Sequence, residues 1–155
     1  MSSLYLIDGH SYLYRAFHAV PYLSNSKGLP TNAIYGFTHM LSKLIREKQP
    51  DYLAVAFDSE KPTHRHETYE AYKAHRPQMP DLLVVQVPYV QKIVDAFRIP
   101  TLIQGGVEAD DLIGTVAKKA EAEGMDVVIV SGDKDMFQLV SPRIQIYDSM
   151  REKVY

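Results

Sequence analysis

Three hydrophobic stretches of the chain each end at an aspartate. They are residues 4–7 before Asp8, residues 52–57 before Asp58, and residues 127–132 before Asp133. Runs of this length, rich in branched and aromatic residues, are typical of strands buried on both faces. Helical patterns separate them, so the sequence predicts an α/β domain with a largely parallel sheet. The carboxyl ends of such strands meet at one edge, where ligands bind, and the three aspartates should lie there.

The connecting segments carry apolar residues at the helical period. The pattern predicts a short helix from the turn at residues 8–11 through Phe17, and a second helix that Thr31 or Asn32 caps and Pro50 closes. A third should run from Asp81 to Phe97, bent or restarted at Pro88, because proline lacks the backbone donor. The remaining predictions are short strands at 101–103 and 144–147, a helix from about 108 to Gly124, and a helical turn at 136–139.

Residues 59–80 have a different character, with four Lys/Arg, three of the six histidines and almost no aliphatic side chains. The segment is too long for an ordinary connection and too polar for the core, so we expect an exposed, partly helical excursion above the strand ends. Tyr69, Tyr72, Lys73 and Arg76 share one face at helical spacing. Aromatic and basic groups together suit single-stranded nucleic acid. An ordinary solvated helix is the alternative.

Composition narrows the class of protein. The chain has 155 residues, 46% of them hydrophobic, which suits one domain with a real core. A net charge of −2 gives no general polyanion-binding surface, so contact with nucleic acid would need a local patch or a metal. The absence of cysteine excludes disulfides and thiolate metal sites. Neither a leader nor a membrane-spanning stretch is evident, and we expect a soluble, cytoplasmic protein.

Seven carboxylates are candidates for one site. They are Asp8, Asp58, Glu108, Asp110, Asp111, Asp133 and Asp135. Each alone is explained by a turn or a helix cap, but together they would crowd one edge of the sheet. Two carboxylates about 6 Å apart repel by about 3 kcal/mol at an effective dielectric constant of about 20. Mg²⁺ or Mn²⁺ removes this repulsion, and two ions would suit phosphoryl transfer or phosphodiester hydrolysis.

The histidines do not form a competing metal motif. No HExxH spacing occurs. His64, His66 and His75 belong to the polar excursion, where we expect them to face solvent or phosphate. His10 follows Asp8 closely, and its two interpretations, a residue near the site or an ordinary turn residue, both remain open.

Five short motifs in order resemble the flap endonuclease family, most closely the 5′–3′ exonuclease domain of bacterial DNA polymerase I. They are Asp8-Gly9-His10-Ser11, Ala56-Phe57-Asp58, Tyr72-Lys73-Ala74-His75-Arg76, Glu108-Ala109-Asp110-Asp111 and Ser131-Gly132-Asp133-Lys134-Asp135. The resemblance covers essentially the whole chain. It implies a PIN-like α/β fold and a monomeric, structure-specific 5′ nuclease. Such an enzyme removes DNA flaps and RNA primers in replication and repair, using two Mg²⁺ or Mn²⁺ ions.

The resemblance also implies roles for individual residues. All seven carboxylates correspond to metal ligands, directly or through water. Tyr72, Lys73 and Arg76 correspond to a helical arch over the 5′ end, with Lys73 and Arg76 acting on the scissile phosphate. Gly36 and Phe37 fall where the second helix of the family approaches duplex DNA.

One departure from the family pattern leaves an alternative function open. The family continues into a helix–three-turn–helix element that grips duplex DNA and supplies further aspartates. This chain ends at Tyr155 without that element or the polymerase domains. The alternative is therefore a DNA-binding module without turnover, because its second metal site is incomplete. Other carboxylate enzymes fit less well: an aspartyl-phosphate phosphatase needs Asp-x-Asp after its first strand, and a toprim-like domain leaves Asp58 without a role.

Overall fold

The three strands that end near aspartates lie side by side at the centre of one sheet. The computed structural model describes residues 2–59, 79–149, 151 and 153–155. The strands are β1 (Ser3–Asp8), β2 (Tyr52–Ala56), β3 (Thr101–Leu102), β4 (Asp126–Val130), β5 (Ile144–Asp148) and β6 (Lys153–Val154). Their order is β3-β2-β1-β4-β5-β6. All neighbours pair in parallel except β5 and β6. The predicted α/β class is confirmed, and only the short antiparallel edge strand was not predicted.

Helices cover both faces of the sheet. They are α1 (Gly9–Ala19), α2 (Asn32–Lys48), α3 (Asp81–Val84), α4 (Val87–Ala96), α5 (Ala109–Ala122) and a 3₁₀ helix at Lys134–Leu139. Buried residues of α1, α2 and α4 form a core on one face, and α5 packs against the other. Successive β1 side chains alternate between these cores, with Leu6 on the α5 side and Ile7 on the α1–α2 side. None of the described helices is long and apolar enough to cross a bilayer.

The strand register brings the aspartates to a common edge. Asp8 pairs with Ala56, so Asp58 follows two residues beyond that pair. Ile7 pairs with Val130, and Asp133 follows three residues later. The strand predicted to run to residue 132 therefore ends at Val130, and the next residues turn over the edge of the sheet. These positions confirm that the carboxyl ends of β1, β2 and β4 meet where the sequence predicted.

The start of α2 is capped differently from the prediction. Thr31 holds the N-cap position, but its side chain makes no capping hydrogen bond. The buried side chain of Gln86, between α3 and α4, accepts hydrogen bonds from the backbone N–H groups of Ala33 (2.8 Å) and Ile34 (3.0 Å). A distant amide thus replaces the local cap. The predicted restart at Pro88 is confirmed, since this proline stands in the first turn of α4.

Most of the predicted excursion cannot be compared with the structure. Residues 60–78 lie outside the described part of the chain. The proposed arch residues Tyr69, Tyr72, Lys73 and Arg76 belong to this interval, as do His64, His66 and His75. Their predicted roles stay predictions.

Candidate metal centre

Three carboxylates converge at the edge of the sheet. Asp8, Asp110 and Asp133 each offer one oxygen atom, and these atoms lie within 4.8 Å of one another. Asp8 ends β1, Asp110 stands in the first turn of α5, and Asp133 precedes the 3₁₀ helix. Asp8 is only 3% exposed, whereas the other two remain partly accessible. Three separate segments therefore form one group of hard oxygen donors that opens to solvent, as a divalent cation requires.

Hydrogen bonds from nearby backbone N–H groups and from the Ser131 hydroxyl orient two of these carboxylates, Asp8 and Asp133. Ser131 Oγ donates to Asp8 Oδ2 (2.9 Å) and accepts from the N–H of Asp133 (3.0 Å). The N–H of Ser11 donates to Asp8 Oδ1 (3.3 Å), and that of Asp135 donates to Asp133 Oδ1 (2.9 Å). Asp8 and Asp133 are thus helix caps as well as members of the group. The capping interpretation of these two residues is confirmed, and their role as metal ligands stays a prediction.

Gly9 allows the turn after β1 to approach the neighbouring strand. A Cβ atom at this position would lie 2.6 Å from the carbonyl oxygen of Ala56 and 2.8 Å from the Phe57 ring. Both distances are too short for any side chain, so only glycine fits. The close approach keeps Asp8 beside the carboxyl end of β2.

Asp58 and Glu108 line the same cavity as the three-carboxylate group. Asp58 Oδ1 accepts a hydrogen bond of 2.8 Å from the N–H of Ala109, the first residue of α5. Its Oδ2 lies 3.2 Å from Nδ1 of His10, so His10 stands at the site rather than in an unrelated turn. Glu108 is the N-cap residue of α5 and is 4% exposed. Five of the seven predicted carboxylates therefore share one cavity.

The crowding changes the protonation of the group. Burial is the largest cause that raises the pKa of Asp110 to about 7, and the negative charges of the neighbouring carboxylates add to it; these are Asp8, Asp133, Asp58 and Glu108. Burial also raises the pKa of Asp8, against the opposing effect of hydrogen bonds from Ser131 and Ser11. Without a cation the cluster thus retains a proton near neutral pH. An all-oxygen, electrostatically strained donor set fits a hard divalent ion.

The remaining two carboxylates occupy an adjoining groove. Asp111 and Asp135 are exposed and lie outside the three-carboxylate group. They line a groove of about 710 Å³ between α5 and the 3₁₀ helix, and Asp110 lines both this groove and the main cavity. Asp110 therefore joins two neighbouring acidic environments.

The main cavity, which the three-carboxylate group lines, has a volume of about 570 Å³. Helix α1 builds another of its walls. His10, Tyr14 and His18 form a ladder of rings there, with centroid separations of 5.5 Å and 6.3 Å. Arg15 lines the same wall. The sequence alone predicted no site role for four residues near this cavity: Tyr14, Arg15, His18 and Ser131. The helical spacing of the three α1 residues from His10 and Ser11 was the signal that would have found them.

The structure buries Gly36 and Phe37, and their predicted position near duplex DNA stays a prediction. Phe37 is 0% exposed and belongs to the α1–α2 core. Gly36 is also buried, and a Cβ atom there would lie 2.9 Å from Cβ of Ala16. The side chain of Phe37 is therefore not at the surface of the described part of the chain. Together the two residues let α1 and α2 pack closely.

Known sequences contain close relatives of this chain. DNA polymerase I of Geobacillus stearothermophilus is 50% identical over 145 residues, which cover 94% of this chain and 17% of that protein. The 5′-3′ exonuclease of Aquifex aeolicus is 46% identical over 155 residues, which cover 100% of this chain and 54% of that protein. The chain thus spans about one sixth and about half of the length of these two relatives.

A solved nuclease structure shares the fold. The bacteriophage T5 flap endonuclease, in a pseudo-enzyme–product complex with DNA and metal ions, aligns with a TM-score of 0.68 at 21% identity, covering 99% of this chain and 57% of that chain. At this identity the likeness shows the PIN-like fold alone. The family model described as 5′-3′ exonuclease, N-terminal resolvase-like domain, matches residues 3–155. The chain therefore belongs to the 5′-3′ exonuclease family, as its N-terminal resolvase-like domain.

Proposed function

We propose that this chain is the catalytic part of a divalent-metal-dependent 5′ nuclease that hydrolyses DNA phosphodiesters in replication and repair. The convergence of Asp8, Asp110 and Asp133 within 4.8 Å carries the proposal. Carboxylates packed this closely repel one another unless a cation lies between them. Burial and, after it, this repulsion raise the pKa of Asp110 to about 7.

The proposed cofactor is Mg²⁺ or Mn²⁺, and the proposed ligands are all seven carboxylates, directly or through water. Asp8, Asp110 and Asp133 would hold one ion, with Asp58 and Glu108 beside them. Asp111 and Asp135, in the adjoining groove that Asp110 also lines, would contribute to a second. When bound, such ions lower the pKa of water and stabilise negative charge on a phosphate.

The chain's own residues have distinct tasks in this proposal. Ser131 holds Asp8 and Asp133 in register, and Asp58 fixes the first turn of α5 that carries Asp110. Arg15 lines the cavity with a guanidinium, which suits bidentate contact with a phosphate. These groups position the carboxylates and the scissile phosphate relative to one another.

The proposed substrate is DNA with a 5′ flap or 5′ end, including an RNA primer, bound by a monomer. Three observations support it: the named activity of the Aquifex relative, the DNA in the T5 complex, and the ring ladder on α1, since aromatic rings that line a cavity suit unpaired bases. Tyr69, Tyr72, Lys73 and Arg76 are proposed to contact the strand as an arch. Lys73→Ala should slow cleavage more than it weakens binding to duplex DNA. Equal losses in both would remove the catalytic role of Lys73.

One observation favours a second candidate, a DNA-binding module without turnover. Among the described residues, Asp111 and Asp135 are exposed and are not drawn into a three-carboxylate group of their own. A two-ion reaction would then need ligands from elsewhere. This candidate differs from the first in turnover, not in fold.

Cleavage of a 5′-labelled flap duplex separates the two candidates. The chain would be assayed with Mn²⁺ and with Ca²⁺, beside Asp110→Ala and the control Asp126→Ala, which removes an exposed aspartate at the opposite end of β4. Cleavage with Mn²⁺ by the wild type and the control, lost in Asp110→Ala, is the expected result. DNA binding without cleavage in any metal would favour the second candidate. Cleavage retained by Asp110→Ala would contradict the proposed site.

A further inference from the structure

We propose that Asp148 is a positioning residue that holds the Arg15 guanidinium at the wall of the acidic cavity. The inference rests on the proposed nuclease function. Arg15 belongs to α1, and Asp148 is the last residue of β5, 133 residues later in the chain. Asp148 does not line the cavity itself, so its effect would pass through Arg15.

The two side chains meet in a sheltered place. Nη1 and Nη2 of Arg15 each lie 3.5 Å from Oδ1 of Asp148. The side chains are only 17% and 11% exposed, so solvent screens this pair less than a surface pair. An arginine that is mostly withdrawn from water needs such an acceptor, and breaking a sheltered pair leaves its charge uncompensated.

A hydroxyl group completes the support. Nη1 of Arg15 donates to Oγ of Ser149 at 3.1 Å. Ser149 also forms a hydrogen bond with the hydroxyl group of Tyr12, a side chain that is 2% exposed in the α1–α2 core. The guanidinium is thus anchored to the segment after β5, and that segment is anchored to the core.

The guanidinium also lies beside the loop that carries Asp133. A Cβ atom on Gly132 would lie 3.3 Å from Nη2 of Arg15, so the absence of a side chain there gives the guanidinium room. Gly132 lies between Ser131 and Asp133, and its N–H donates to Ser11 Oγ at 2.9 Å. Arg15 therefore spans the distance between the end of β5 and the loop that carries Asp133.

This geometry has an energetic consequence for substrate binding. A free arginine side chain has many rotamers, and part of this conformational entropy is lost whenever the side chain is fixed on a phosphate. Asp148 and Ser149 fix it beforehand, which lowers that cost when the phosphate arrives. Arg15 has five donor hydrogens, and two acceptors do not exhaust them.

A double-mutant cycle tests the inference. Flap cleavage with Mn²⁺ would be measured for the wild type, Arg15→Ala, Asp148→Ala and the double variant. We expect Asp148→Ala to lower kcat/KM by about tenfold, a usual effect of removing a supporting partner, and to cause little further loss in the Arg15→Ala background. Asp148→Asn, which keeps an acceptor oxygen, should retain most of the rate. The matched control is Asp126→Ala, since Asp126 pairs with Arg143 at 3.6 Å at the other end of the sheet.

An NMR measurement makes the test independent of activity. Rotation of the Arg15 guanidinium, followed through its nitrogen resonances, should be slow in the wild type and faster in Asp148→Ala but not in Asp126→Ala. Equal rate losses for Asp148→Ala in both backgrounds, or free rotation of Arg15 in the wild type, would overturn the inference. If the wild type does not cleave at all, the proposed function fails, and the rotation measurement alone decides whether Asp148 holds Arg15.

Discussion

The backbone N–H of Ala109 donates a 2.8 Å hydrogen bond to Oδ1 of Asp58. This contact joins the end of β2 to the first turn of α5 across 51 positions of the sequence. Asp110 follows Ala109 directly, so the contact fixes where Asp110 enters the acidic cluster. Asp58 therefore acts both as an acidic member of the cavity and as a remote cap of α5.

Two substitutions of Asp58 separate these roles. Asp58→Asn keeps an oxygen acceptor for the N–H of Ala109 and removes one of the crowded negative charges. In the absence of metal, its free energy of unfolding should therefore equal or exceed that of the wild type. Asp58→Ala loses the acceptor and should cost about 1–2 kcal/mol, as other lost helix caps do. Both should lose Mn²⁺-dependent cleavage. Urea denaturation in EDTA checks the stability, and equal stability of the two variants would contradict the capping role.

The pKa of Asp110 predicts how metal-free stability depends on pH. Asp110 titrates at about 7 in the folded protein and at 3.8 without the environment of the fold. Between these values the folded state binds more protons than the unfolded state, so stability falls as pH rises from about 4 to about 7. Asp8, whose pKa is also raised, acts in the same direction.

Asp110→Asn isolates this contribution. The variant should match the wild type in EDTA below pH 4 and exceed it by about 1–2 kcal/mol above pH 7, a figure lowered for the partial exposure of Asp110. Denaturation curves across this range test it, with Asp126→Asn as the exposed control. A wild type that remains as stable as Asp110→Asn at pH 8 would show that the cluster is not strained.

Ser131 links two of the proposed ligands through one hydroxyl group. Ser131→Ala removes the donor to Asp8 Oδ2 and the acceptor for the N–H of Asp133. We expect Mn²⁺ affinity to fall by about 10- to 100-fold, as is usual when the partners of metal ligands are removed. Calorimetric titration with Mn²⁺ measures this, and Ser42→Ala, on α2, serves as the control. Unchanged affinity would mean that the carboxylates are oriented without Ser131.

Replacing Gln86 should lower the free energy of unfolding without affecting the proposed metal site. Its side chain is 0% exposed, caps α2 through Ala33 and Ile34, and donates to Asn32 Oδ1 at 3.0 Å and to Leu82 O at 2.8 Å. Gln86→Leu leaves buried backbone donors without acceptors and should cost about 2–4 kcal/mol.

Gln91 provides the matched control for this substitution. It lies on α4 and is partly exposed, so Gln91→Leu should change the free energy of unfolding by less than about 0.5 kcal/mol. Thermal or urea unfolding of both variants makes the comparison. Equal losses of unfolding free energy in the two variants would show that the effect comes from introducing a leucine rather than from losing the cap of α2.

The parts of the fold that the sequence predicted depend on local periodicity. The hydrophobic runs before Asp8, Asp58 and Asp133 gave the central strands, and parallel pairing then required their ends to meet. Pro88 predicted the break between α3 and α4 because proline acts on its own helix. The two-residue β6 was missed because both of its residues are exposed and no hydrophobic run marks it, unlike the equally short β3.

The contacts that were missed join residues far apart in the chain. Gln86 reaches Ala33 across 53 positions, and Arg15 reaches Asp148 across 133. No spacing rule relates such residues, so Thr31 or Asn32 was the natural prediction for the cap of α2. The burial of Phe37 was not predicted either, since an aromatic residue on a helix suits a core and a ligand surface equally well until the packing is known.

The central claim is that Asp8, Asp110 and Asp133 bind a divalent ion, and metal-dependent stability tests it most directly because it requires no turnover. The free energy of unfolding at pH 7.5 would be measured against Mn²⁺ concentration for the wild type, Asp110→Asn, Asp133→Asn and the control Asp126→Asn. We predict that the wild type and the control gain about 2.7 kcal/mol at a hundred times the dissociation constant, while the two site variants gain far less. Equal gains in all four proteins would contradict the assignment of this cluster as the metal site.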